Sequence, residues 1–280
     1  MADFKVGEPV QVAGSKVPVI RILGRNAGPM TGLGTNTYLV GSNQLILIDP
    51  GPSDEIHIDS ILTAIGEREL NKVLVTHTHG DHSPSATPIA KKLSAELVGI
   101  RPPAAGRHDR SFVPQRDYLD GEVLDCGDFT IELIHTPGHV SNHFCYLLRE
   151  EKLLFTGDHI LQGTTSVILP PDGNMSDYMT SLGELRSRDL KFLAPGHGDI
   201  ISDPSQAIDD LIEHRTKRER KVVSALKTLV SSDLDKLTLK VYDDVAAHLL
   251  PWAKLTLEAH LIKLKKESRV EETNQEWKLL

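Results

Sequence analysis

Aromatic residues make up only 5% of the 280-residue chain, and cysteine occupies just two positions, Cys126 and Cys145. Two cysteines cannot build a disulfide scaffold, and with no sign of export they are read as reduced thiols. Apolar runs of the roughly 18 residues needed to cross a bilayer are missing, so no membrane partner is expected. The opening MADFKVGEPV has neither the basic nor the apolar region of a secretory signal, and the chain is read as cytoplasmic. Positive charge is scarce too: 31 Lys+Arg against 39 Asp+Glu gives −8, which argues against wholesale nucleic-acid binding. Low-complexity tracts are also lacking, and 39% hydrophobic with 25% charged residues describes a globular chain with a full core. Oligomeric state is not written in these features.

What is present changes character near residue 206. Before it, short β-rich runs alternate with turn signals and a few helical stretches. VPVIRILG (Val17 to Gly24), TNTYLVG (Thr35 to Gly41) and QLILIDPG (Gln44 to Gly51) read as successive strands, with Ser42-Asn43 as a hairpin turn. A helix from Asp54 to Ile65 follows, then a buried strand from Lys72 to Thr76 and a short helix from Pro88 to Leu93. FTIELIHTP, NHFCYLLRE, KLLFTGD and KFLAPGH are later strands, each ending near His, Asp or Gly, where strands position loops rigidly. After Pro204 the spacing turns helical. Ala207 to about Val230 predicts one helix, Lys240 to Leu249 and Trp252 to Lys266 two more separated by Pro251, and RVEETNQEWKLL a terminal hairpin. Domains of 1–205 and 206–280 are expected, the second either winged-helix-like or a helical cap. Charge divides unevenly: His214 to Val270 holds 13 Lys+Arg against 7 Asp+Glu, or +6, leaving 18 against 32, or −14, elsewhere.

The strongest signal is His77-Thr78-His79-Gly80-Asp81-His82, four metal-ligating side chains within six residues directly after an apolar strand. Core histidines are usually solitary and bonded to backbone, whereas clustered imidazoles with a carboxylate need a cation. Extended backbone sends His77 and His79 to one side, and Gly80 permits a turn that redirects Asp81 and His82 toward a neighbouring point, so one loop can serve two ions. Each ion needs further donors. His139 in TPGH, Asp158 in FTGD and His197 in APGHG stand in similar settings, after apolar strands and beside glycine.

HTHGDH, TPGH, TGD and PGHG, in that order, resemble the metallo-β-lactamase superfamily over about residues 17 to 204. The resemblance implies an α/β four-layer αββα sandwich and two zinc ions per chain, with iron or manganese as alternatives. It implies His77, His79 and His139 on the first zinc, Asp81, His82 and His197 on the second, and Asp158 between them. Asn26 to Gly41, Thr164 to Leu182 and HRTKRER (His214 to Arg220) further resemble the β-lactamase-like protein 2 group. In that group a winged-helix-like domain follows the catalytic one, and eukaryotic members are linked to endoribonuclease activity on single-stranded RNA. The sequence departs from the animal members at His159 and in HVSNH, His139 to His143.

A dinuclear site lowers the pKa of a shared water toward ~7, and Asp81 is then both ligand and candidate proton acceptor, or ligand only. Three readings of function are open. The first is a phosphodiesterase on single-stranded RNA, aided by Arg215, Lys217, Arg218, Arg220 and Lys221, with Tyr118, Tyr178 and Trp252 as exposed aromatic platforms. The second is a glyoxalase II-like or acyl-carrier thioesterase, the third a metal-stabilised module that binds nucleic acid or protein. True β-lactamase activity is disfavoured, because the antibiotic-degrading members lack the carboxylate that Asp158 supplies. His143, His159 and Tyr178 are candidates for substrate contact, the two histidines equally for support of the metal ligands. Thr35, Asn36 and Tyr38 form a conspicuous polar stretch that strand-edge hydrogen bonding also explains.

Overall fold

The computed structural model describes residues 5 to 280, and contacts divide the chain into two compact units. The first comprises residues up to Thr136, Asn142–Ser166 and Ser187–Ser205; the second comprises Pro137–Ser141, Val167–Arg186 and Gln206–Leu280.

In the first unit, β1 (Pro9–Ala13), β2 (Val19–Leu23), β3 (Asn36–Val40), β4 (Gln44–Ile48), β5 (Glu69–Leu74) and β6 (Glu96–Val98) lie side by side in chain order. Helix α1 (Glu55–Ile65) joins β4 to β5, and α2 (Ala86–Leu93) joins β5 to β6. A second sheet comes next, of β7 (Val123–Asp125), β8 (Thr130–His135), β9 (Phe144–Leu148), β10 (Leu153–Gly157) and β11 (Phe192–Pro195), its spatial order running from β11 back to β7. Strand β3 shows why the layers form. All five of its residues are buried, and alternation sends Tyr38 and Val40 into a core shared by both sheets while Leu39 enters a core shared with α1 and α2. Asp54 caps α1 by accepting from Ile56 N and His57 N, and Gly66 ends it at φ +61°, so the expected boundaries hold within a residue.

Strand direction, more than layering, decides where the polar loops gather. Pairs β4/β5 and β10/β11 are parallel, so in each pair both carboxyl ends emerge at the same edge. Asp49 follows β4, HTHGDH follows β5, Asp158 follows β10 and His197 follows β11.

In the second unit, α3 (Met175–Arg186) presents Met175, Tyr178, Leu182 and Leu185 as its buried face, a helix that the sequence expectations do not include. Helix α4 (Pro204–Leu229) matches the long helix expected from residue 207. Beyond it come β12 (Ser231–Ser232), α5 (Leu234–Val241), a single 3-10 turn (Ala247–Leu249), α6 (Leu250–Lys266), β13 (Val270–Thr273) and β14 (Glu276–Leu279). The helix expected at 240–249 is a correction: it lies at 234–241, because Asp233 accepts a bond from Lys236 N and starts it earlier. Pro251 does not separate two helices but sits in the first turn of α6, where its missing N–H costs nothing. The terminal hairpin forms as expected, with Asn274 and Gln275 both at positive φ in a two-residue turn. Among the described residues no helix is long and apolar enough to cross a membrane.

Candidate metal centre

His77 begins the loop that leaves β5, and its orientation is set by Asp49. The buried Asp49 carboxylate accepts from Thr76 N at 2.7 Å through Oδ1, and through Oδ2 from Thr76 Oγ1 at 2.7 Å and His82 Nδ1 at 2.9 Å. A carboxylate cannot donate, so the Thr76 hydroxyl gives its proton to Asp49 and accepts from His77 Nδ1 at 3.1 Å. Both His77 and His82 are thereby fixed with a proton on Nδ1, which leaves Nε2 as the nitrogen available to a metal. His197 Nδ1 donates to Gly34 O at 3.1 Å, with the same result. Within the second unit, His139 Nδ1 donates to Val167 O at 2.7 Å. Four imidazoles thus have Nδ1 committed as donor to an acceptor and Nε2 left for a ligand, the arrangement that orients metal-binding histidines.

Asp81, His82, Asp158 and His197 converge on one point. His82 Nε2 lies 3.3 Å from Asp158 Oδ1 and 3.6 Å from Asp81 Oδ2, and His197 Nε2 lies 3.4 Å and 3.3 Å from the same two oxygens. Both Nε2 atoms are buried without a well-formed hydrogen bond, a costly state unless something else fills the site. Beside this set, His77 Nε2 stands 3.0 Å from His79 Nδ1, and the His77 and His82 rings are 4.2 Å apart. Burial resists ionising Asp81, yet the His82 charge and His197 hold its carboxyl below the usual range. Burial likewise opposes charging His82 and His197, but Asp158 first, then Asp81, pull both upward. The set wants positive charge at its centre.

Two glycines shape the space. A Cβ on Gly196 would sit 2.7 Å from His82 Cε1 and 2.8 Å from Asp158 Oδ1; one on Gly157, at φ +46°, would sit 2.5 Å from Thr76 Oγ1 and 2.8 Å from His143 Nε2. The loop bearing His197 is pinned from β3: Asn36 Nδ2 donates to Pro195 O at 3.0 Å and Gly198 O at 2.8 Å, and Tyr38 Oη donates to Pro195 O at 2.8 Å. That gives the polar stretch 35–38 its purpose as a brace.

Other expectations need correction. Tyr118 and Tyr178 are buried, Tyr178 completely, so neither is an exposed platform; Trp252 alone of the three is 39% exposed. The Arg215 guanidinium lies 5.3 Å from the Tyr178 ring centre within the second unit. His143 and His159 are also fully buried; His143 stacks 5.3 Å from His77 and bonds Thr136 Oγ1 at 2.8 Å, behind the donors. Sequence reasoning missed Asp49, a carboxylate closing an apolar strand at φ 49°. It also missed His108, which stacks 5.2 Å from His79 and pairs with Thr78 Oγ1 at 2.9 Å. Cys126 and Cys145 are free, and burial pushes their thiols up to about 11 and about 12, so both are inert.

The donor chemistry fits divalent ions: imidazole with carboxylate, buried Nε2 atoms without a hydrogen bond, and a cradle that a methyl would fill. Comparison with known proteins agrees. Residues 30–197 match the metallo-β-lactamase superfamily, and residues 234–277 match the β-lactamase associated winged helix domain. A β-lactamase-like protein 2 homologue of Caenorhabditis elegans is 34% identical over 88% of this chain and 82% of its own length. Lactamase-like protein aptB of Emericella nidulans is 37% identical over 75% of this chain. An atrochrysone carboxyl ACP thioesterase of Cryptosporiopsis is 35% identical over 77%. The chain spans 65% of the length of each of these two fungal relatives. A metallo-β-lactamase family protein of Thermus thermophilus shares the fold at 19% identity, with TM-score 0.75 over 94% of this chain and 98% of that one. The His/Asp cluster at the ends of the parallel strand pairs is of the kind suited to a dinuclear site, and the chain belongs to the metallo-β-lactamase superfamily of hydrolases.

Proposed function

We propose that the chain is a zinc-dependent hydrolase that cuts phosphodiester bonds in single-stranded RNA. The observation that carries the hydrolytic part is the convergence of two inward Nε2 atoms on two carboxylates, at 3.3–3.6 Å. In this reading His77, His79 and His139 hold one ion, Asp81, His82 and His197 the other, and Asp158 lies between. An imidazole-rich set of this kind favours zinc over iron or manganese. When bound, the ions supply Lewis acidity that makes water nucleophilic near neutral pH and neutralises charge developing on the substrate. Asp81, its carboxyl held ionised and its side chain 28% exposed, orients the attacking water and accepts its proton. Asp49 keeps His82 in the ligating tautomer, and Asn36 with Tyr38 holds the His197 loop. A purely structural role is disfavoured, because structural zinc sites are closed and cysteine-rich.

RNA is favoured by the likeness to the nematode β-lactamase-like protein 2 homologue, which extends over most of both chains, and by the +6 segment from His214 to Val270. A second reading, hydrolysis of an acyl thioester, is favoured by the thioesterase relative and by the burial of Tyr118 and Tyr178, which leaves few surfaces for base stacking. One preparation decides between them. Zinc-loaded protein is given labelled single-stranded RNA and, separately, an acyl thioester, each beside an Asp81→Ala control. RNA cutting lost in the control supports the first reading; thioester turnover without RNA cutting replaces it with the second.

A further inference from the structure

A groove of about 540 Å³ runs along α4 in the second unit, lined by His214, Lys217, Arg218, Arg220, Lys221 and Ser224, with Asp244 at its side. Positions 214, 217, 221 and 224 recur at three and four residues and so share one helix face, a stripe of about 15 Å at 1.5 Å per residue. Four cations and one carboxylate line it, and two further carboxylates, Glu213 and Asp243, stand beside Lys217 and Lys221. Arg218 is built in: it donates to Val241 O at 2.7 Å and Asp244 Oδ1 at 2.8 Å, and lies 4.3 Å from the Tyr242 ring centre. The others are less committed. Lys217 pairs with Glu213, and Lys221 with Asp243 and Asp244, all three carboxylates more than half exposed, and such pairs hold weakly enough in water to exchange for another anion. Arg220 is exposed and makes no hydrogen bond or ion pair among the described residues. At the groove, His214 Nδ1 is buried with no hydrogen-bond partner.

We infer that this groove binds the phosphodiester backbone of a single RNA strand, an inference that rests on the RNA reading above and names where the strand is held. Four cations gathered within about 6 Å of helix, with no Phe, Tyr or Trp in the lining, suit adjacent phosphates rather than bases. Binding is therefore insensitive to sequence and strongly dependent on salt.

The test uses the full-length protein and a short labelled single-stranded RNA, with chelator present during binding so that no cutting occurs. The Lys217→Glu/Arg220→Glu variant changes two exposed positions outside the metal centre. It is expected to bind RNA about tenfold or more weakly, with a slope of log affinity against log salt shallower by about 1.4, for two lost contacts at roughly 0.7 each on single strands. Its zinc-dependent hydrolysis of a small phosphodiester stays at the wild-type rate. Lys217→Gln/Arg220→Gln gives a smaller loss in the same direction and guards against misfolding of the charge-reversed protein. If wild type cuts RNA and both variants bind it as wild type does, the groove assignment is overturned and the RNA reading stands. If wild type neither binds nor cuts RNA, both fall together.

Discussion

Two groups of histidine and carboxylate occupy this chain, and their carboxylates are neutralised in opposite ways. In the C-terminal unit, Glu219 receives Lys263 Nζ at 2.7 Å and Arg269 Nη1 at 2.8 Å, with His260 Nδ1 at 4.0 Å. The His260 ring, Lys263 and Arg269 hold its carboxyl down at about 2. The Glu219 carboxylate therefore has its own cations, although both ring nitrogens of His260 are buried without a hydrogen bond. At the donor cluster, the charged groups facing Asp81 are His82, His197 and a second carboxylate, Asp158. There positive charge comes from protonated His82 and His197, or from an ion that takes the place of those protons. What separates an internal ion cluster from a metal centre in this protein is thus whether lysine and arginine reach the carboxylates.

The comparison can be broken most sharply at Asp81. Asp81→Ala removes a donor and the proton acceptor together and is expected to lower turnover by about 10²–10⁴-fold, checked by steady-state kinetics beside metal analysis. Full activity would mean that the cluster is not the reactive centre. Next in size is Asp49→Asn, which loosens the tautomer control of His82 without touching a ligand; zinc affinity measured by competition with a chromophoric chelator should fall about 10–100-fold. An effect of similar size, read as stability, is expected from stripping the metal. An ion present at 100 times its dissociation constant stabilises by ~2.7 kcal/mol, so a chelator should lower the melting temperature by about 5–10 °C and added zinc should restore it. A melting point indifferent to both would place the two clusters in one class.

The smallest effect belongs to Glu219→Gln, at about 1 kcal/mol, discounted because this group is partly wet. Its sign with pH is defined. The carboxyl is depressed from 4.5 to about 2, so its contribution is complete above 4.5 and is lost as pH falls toward 2. Wild-type stability should therefore drop through that window more steeply than the variant's, by denaturant titration at each pH. Equal slopes would remove Glu219 as the neutralised counterpart of Asp81.

The donors were legible because four of them crowd into HTHGDH and the rest close apolar strands beside glycine. Their supports were not. Asp49 is a lone carboxylate whose partners Thr76 and His82 are 27 and 33 residues away, and only the parallel pairing of β4 with β5 brings them together. His108 meets His79 by tertiary contact alone. In the C-terminal region the terminal hairpin announced itself, while α5 was displaced because the capping role of Asp233 went unread, although Leu234, Leu237 and Val241 carry helical spacing. Tyr178 illustrates a limit of composition: an aromatic in a polar stretch looks exposed until α3 turns its face inward.

Gly157 and Gly196 have no side-chain atom that could hold an ion, pass a proton or touch a substrate, yet each leaves no room for a single methyl. An alanine at Gly196 crowds the His82 ring and the Asp158 carboxylate, and one at Gly157 crowds the Thr76 hydroxyl and the His143 ring, before chemistry begins. The donor geometry of this chain is thus bounded at these two points by empty volume, a property that carries no functional group of its own.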